Sequence, residues 1–288
     1  MKTKTLRTAF AISLLLSVCA APVARQKPAQ GGTAVVFAVE KYESNVMIEP
    51  AFVYRGGTFV APPIVTPATS FTREYFRPGR KYRLLSGGGE AGSVTVRKYL
   101  EPGCVGLVAE AAADTPARLG GRIQALATDS ATLGRAQPSR RAPTEAERAS
   151  AVELARAAYA KNGAPPALVS GMQVVNVTAT DLDRDGRAEL VGSFIVEKKQ
   201  GEATLDAYTL FLIMEPQGES FKTAWEWFHH GFEGEYADRH FVDQVDLDGD
   251  GVGEVVVEGT YYESNDYAVY KREQGRWRPV YKGGGGGC

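Results

Sequence analysis

Asp246-Leu247-Asp248-Gly249-Asp250-Gly251-Val252-Gly253-Glu254 decides how this chain is read, because its pattern also occurs earlier, as Asp181-Leu182-Asp183-Arg184-Asp185-Gly186-Arg187-Ala188-Glu189. Both runs carry acids at positions 1, 3, 5 and 9 and glycine at position 6. Carboxylates this close repel one another and hold their protons more tightly unless a cation sits among them. Ca²⁺, which takes about six to eight oxygen ligands, suits such a cluster. The glycine supplies the positive-φ turn that folds the chain round an ion. Val174–Thr178 and Leu190–Val196 flank the first run, and Val255–Val257 follows the second. These stretches are rich in β-branched residues, so each loop joins strands, with Glu189 and Glu254 at a strand entrance.

An EF-hand would close with a bidentate Glu at position 12, between two helices. Position 12 is Gly192 in one run and Val257 in the other, which excludes that motif. Asp-x-Asp-x-Asp-Gly-x-x-Glu between strands instead resembles the calcium loops of FG-GAP/VCBS repeats, the repeats of integrin-α-type β-propellers, over about residues 174–281. The resemblance implies two structural Ca²⁺ sites. Asp181, Asp183, Asp185 and Glu189 would form one with the carbonyl of Arg187; Asp246, Asp248, Asp250 and Glu254 would form the other with the carbonyl of Val252. Arg184 and Arg187 add positive charge to the first loop where Gly249 and Val252 add none to the second, so the second is expected to bind better. Without a metal, the same residues would be two acidic surface turns.

Lys2, Lys4 and Arg7 precede the mostly apolar run Ala9–Val18 and then Cys19-Ala20-Ala21. Residues 1–20 thus have the layout of a secretory signal peptide. No later segment reaches the roughly 18 apolar residues of a transmembrane helix. Leu16-Ser17-Val18-Cys19 approximates a lipobox, with Val18 where a small residue is usual. The expected product is therefore secreted or periplasmic, either released or lipid-anchored to the cell envelope at Cys19. Cys104 and Cys288 remain, and in an oxidising compartment they can pair. A formal net charge of −1 gives no footprint for nucleic acid.

Residues 21–32 are rich in Pro, Ala and Gly and read as a tether. An N-terminal β region follows over 33–130, in which the strand-like runs of 80–130 are expected to form a separate subdomain or insertion. Residues 131–143, with Arg135, Arg140 and Arg141, read as a solvated basic linker. Residues 144–163 form a helix, opened by a Thr144/Glu147 capping box and stopped by Asn162-Gly163. Its apolar positions are Ala146, Ala149, Val152, Leu154, Ala155 and Tyr159. The calcium-binding β region spans 164–282, and a flexible Gly-rich tail spans 283–288. Three strand–strand–strand units are expected at about 33–62, 181–228 and 246–281, the first and last sharing Tyr-Glu-Ser-Asn at 42–45 and 262–265. The fold class is mostly β: antiparallel units in a propeller-like or atypical small propeller arrangement, with one helix at about 144–161.

All three histidines, His229, His230 and His240, fall in one short stretch beside Glu233, Glu235 and Asp238. They offer an alternative reading, a secreted hydrolase or transition-metal enzyme, although no established ligand spacing such as His-Glu-x-x-His is present. No nucleophile elbow or phosphate-binding glycine loop occurs. Trp225, Trp227, Tyr236, Tyr261, Tyr262 and Tyr267 offer a carbohydrate- or peptide-binding surface, or pair across strands within the core. The expectation is a calcium-binding, non-enzymatic binding, adhesion or scaffold module for a protein or carbohydrate ligand.

Overall fold

The computed structural model describes residues 32–63, 70–101, 106–201, 203–232 and 235–288. The signal-like segment, Cys19 and Cys104 lie outside them. The described chain is mostly β and its named strand pairs are antiparallel.

The N-terminal part is a closed barrel. Strands β1 (Thr33–Tyr42), β2 (Asn45–Arg55), β4 (Lys81–Ser86), β5 (Gly89–Leu100), β6 (Val108–Asp114) and β7 (Ala125–Thr128) run in the order β1-β7-β4-β5-β6-β2, and β1 pairs back onto β2. The short β3 (Thr58–Val60) extends β2. Residues 80–130 are thus no separate subdomain. β7 pairs with β1 and β6 with β2, so both halves of the region share one barrel. The alternation of β1 explains its unbroken apolar run: Val35, Phe37 and Val39 fill the barrel, while Ala34, Val36 and Ala38 pack outward on the next layer. A short helix, α1 (Ser70–Tyr75), contributes Phe71 to the barrel core.

Two four-stranded meanders follow. The first is β8 (Gln173–Thr180), β9 (Glu189–Gln200), β10 (Ala203–Gln217) and β11 (Ser220–Gly231). The second is β12 (Ala237–Val245), β13 (Glu254–Tyr261), β14 (Asn265–Glu273) and β15 (Arg276–Gly283). Each sheet has one strand more than the expected unit, lying before its acidic loop. Val191, Phe211 and Ile213 of the first sheet meet Val255, Val257 and Tyr270 of the second. The second sheet turns its other face, with Val242, Val256 and Val269, onto the outside of the barrel. The first sheet is covered by α2 (Glu145–Lys161), and the short α3 (Pro166–Val169) follows that helix. The layers therefore run helix, sheet, sheet, barrel. They do not form a ring of blades.

Helix α2 has the expected capping box, in which Glu147 N donates to Thr144 Oγ1 at 3.2 Å and Thr144 N to Glu147 Oε2 at 2.7 Å. Its buried stripe is Ala151, Ala155, Ala158 and Tyr159, whereas Ala146 and Ala149 face solvent. The linker also differs from its expectation. Ser139 N donates to Gly87 O at 3.0 Å, Arg141 and Ala179 exchange two backbone bonds, and the Arg140 side chain is only 8% exposed. It is a seam between barrel and first sheet. The terminal glycines are likewise held: Gly286 N donates to Asn265 Oδ1 and Cys288 N to Glu263 O. Gly284 and Gly285 sit against the backbone of Ala51 and Asn265, where a Cβ would collide. Cys288 is disulfide-bonded.

Candidate metal centres

Each acidic run connects the first two strands of its sheet, β8 to β9 and β12 to β13. Strand entry places Glu189 and Glu254 at the first residue of β9 and β13. Each glutamate turns back over its loop: Leu182 N donates to Glu189 Oε2 at 2.7 Å, and Leu247 N to Glu254 Oε2 at 2.8 Å. The leucines anchor the loops, Leu182 between the sheets and Leu247 against the barrel. Gly186 N donates to Asp181 Oδ2 at 3.0 Å and Gly251 N to Asp246 Oδ2 at 3.1 Å. Both glycines have φ near +90°, as the turn requires.

The loops gather two acidic triads that could hold a metal ion. Carboxylate oxygens of Asp181, Asp183 and Glu189 lie within 4.8 Å of one another, and so do those of Asp246, Asp248 and Glu254. Asp185 and Asp250 stand outside these triads. Their side chains accept the position-7 amides instead, from Arg187 at 2.7 Å and Val252 at 2.8 Å. Burial, reinforced by the neighbouring aspartates, pushes Glu189 up to about 7 and Glu254 up to about 8. Burial also raises Asp246. In the first loop, Asp181 Oδ1 and Asp183 Oδ1 are buried without a hydrogen-bond partner.

The basic residues near these acids do not sit where the expected ranking of the loops placed them. Arg184 does not neutralise its own loop; its Nη2 lies 3.5 Å from Asp246 Oδ2 of the other. Arg187 turns away and donates to Gly218 O at 2.8 Å. Lys271 of β14 sits within the second triad, paired with Asp248 and 3.4 Å from Glu254 Oε1. Its neighbour Arg272 points to the opposite face of the strand and reaches Asp183 Oδ2 at 2.9 Å. The more heavily compensated loop is therefore the second. Sequence reasoning misses Lys271 and Arg272, since a basic pair inside a strand carries no mark of where its side chains end. The loops also touch directly, with Gly253 N donating to Leu182 O at 2.7 Å.

Comparisons of the chain with family models, curated proteins and solved structures give no match.

The histidines do not converge. His229 Nε2 donates to Glu235 O at 2.7 Å, His230 Nε2 to Asp206 Oδ1 at 2.5 Å, and His240 pairs with Asp238 at 2.9 Å. Among the described residues, no metal-capable triad contains a histidine. The aromatic residues are split too: Tyr267 is buried with its hydroxyl on Glu49, and Trp225 and Trp227 pack against the inter-sheet core. Tyr262 is well exposed.

Proposed function

We propose that this chain is a secreted or envelope-associated calcium-binding β protein. Two structural Ca²⁺ ions would fasten its paired sheets as a scaffold for binding a protein or carbohydrate, without chemistry of their own. The reading rests above all on the buried, unpartnered oxygens of Asp181 and Asp183 beside a buried Glu189. A carboxylate cluster balanced by the single guanidinium of Arg272 costs free energy that a divalent ion would recover. An all-oxygen donor set on a turn suits Ca²⁺ better than Zn²⁺, which favours nitrogen and sulfur, or Mg²⁺, which keeps its waters. Asp181, Asp183, Asp185 and Glu189, with the carbonyl of Arg187, would hold one ion. Asp246, Asp248, Asp250 and Glu254, with the carbonyl of Val252, would hold the other. Asp185 and Asp250 would enter by releasing the amides they now accept.

The two meanders, each with its loop between first and second strands, support the FG-GAP/VCBS resemblance as two adjacent blade-like units of an atypical assembly. The helix and the barrel would cover the faces that further blades cover in a closed propeller. Thermal denaturation with Ca²⁺, Mg²⁺ or chelator tests the proposal. Dissociation constants on the order of 10⁻⁴–10⁻³ M are expected, as in extracellular modules. Melting temperature should climb with Ca²⁺ and far less with Mg²⁺. A melting curve that neither Ca²⁺ nor chelator moves refutes the metal sites.

A further inference from the structure

The seam formed by residues 138–143 borders a cleft of about 680 Å³, the size of a small-molecule site. The barrel side supplies Pro116, Ala117, Arg118 and Ile123, the first sheet supplies β8, and the first turn of α2 supplies Arg148. Four arginines line it, Arg118, Arg140, Arg141 and Arg148, against one carboxylate, Glu90. That carboxylate is already held by Arg83 at 2.7 Å, and Arg141 is held by Glu147 in a two-pronged pair. Arg118 and Arg148 are exposed and have no carboxylate partner among the described residues.

Arg140 is the unusual member. Its Nη1 donates to Gln124 O at 2.8 Å and Val242 O at 2.9 Å and lies 3.5 Å from Asp243 Oδ2. The side chain is more than nine-tenths buried and its guanidinium lies over the Phe241 ring at 4.9 Å, so its charge is engaged on the seam's inner side rather than in the cleft. The positive end of the α2 dipole adds to the field of the exposed arginines. Pro116, Ile123, Pro143 and Val177 supply apolar walls between these charges.

We propose that this cleft binds a small organic anion, an oxyanion head group carried on an apolar body. The head would sit between Arg118 and Arg148, whose guanidinium forks match carboxylate and phosphate oxygens, while the body lies along the proline and aliphatic walls. The site is separate from the acidic loops and does not depend on calcium occupying them.

The probe is 1-anilinonaphthalene-8-sulfonate, an oxyanion on an aromatic body, followed by its fluorescence on the full chain. The neutral N-phenyl-1-naphthylamine serves as the control. Saturable binding at one site is expected, with the neutral probe at least about tenfold weaker. Arg118→Ala and Arg148→Ala should each weaken the anionic probe about tenfold, the loss of one charged contact, at unchanged melting temperature. Both side chains are exposed, so neither variant should unfold the protein. Ala142→Trp, from an exposed lining position, should block the cleft and abolish binding. Equal binding of both probes, or an anionic titration indifferent to all three substitutions, would overturn the proposal.

Discussion

The two acidic loops share nine-residue spacing, strand context and internal hydrogen bonds, yet they differ in what surrounds them. The first leaves two aspartate oxygens buried and unpartnered. The second holds a lysine ammonium among its carboxylates and a guanidinium beside Asp246. A loop's own residues thus set its shape, but its charge balance is set by neighbours that the fold delivers. The contrast extends back along the strands. Three residues before each loop stands Thr178 in the first sheet and Asp243 in the second. Asp243 is fully buried and accepts Gly87 N through both oxygens, at 2.9 and 3.0 Å, fastening the second sheet to the barrel. Thr178 merely donates to Asn176 at 3.2 Å.

The largest expected effect breaks that last pairing. Asp243→Ala leaves Arg140 buried with its carboxylate gone and should cost about 3–5 kcal/mol by denaturant unfolding, with or without calcium. Thr178→Ala should cost only about 1 kcal/mol. Asp243 also has a pH signature. Burial raises it from about 3.8 to about 6, so between those values the folded state binds more protons than the unfolded chain. Its contribution to stability therefore falls as pH rises through that window and is level above it. Asp243→Ala should remove this component of the slope.

Next in size is calcium itself. At about a hundredfold excess of Ca²⁺ over its dissociation constant, an intact site adds about 2.7 kcal/mol, or roughly 5–10 °C in a chain of this size. Asp183→Ala should delete the first site's share, as read by calorimetric scans with and without chelator. Asp248→Ala should delete a smaller share, because calcium must there displace Lys271. Equal losses would mean that the lysine does not compete.

Lys271→Met sharpens the comparison by making the second loop resemble the first. Calcium affinity at that loop, titrated in an Asp183→Ala background, should rise about tenfold, while the metal-free protein should melt lower. A half-exposed partner matters least. Arg184→Ala should change binding at the second loop by under about 1 kcal/mol, and raised salt should erase the difference. An effect as large as that of Lys271→Met would show that the guanidinium enters the site.

Much of the candidate site is legible in the sequence. Asp at positions 1, 3 and 5, glycine at position 6 and Glu at position 9 are local requirements, met within one turn and its strand entrance. The capping box at Thr144 and Glu147 is readable for the same reason. The buried face of α2 is not, since Ala146 and Ala149 are as apolar as Ala151 and Ala155, and only the position of the first sheet chooses between them.

By itself, then, the sequence determined the loops, the strands that flank them and the helix with its cap, because each depends on residues a few positions apart. Tertiary structure alone decided that 33–60 and 81–128 close into one barrel, since that closure pairs strands distant in the chain. It also decided which arginines lose solvent and which cation reaches which acid. Lys271 and Arg272 are adjacent on β14, and the pleat sends them to opposite faces and different loops. Local spacing cannot encode such outcomes, because a side chain's electrostatic partner is set by whichever layer packs against its face.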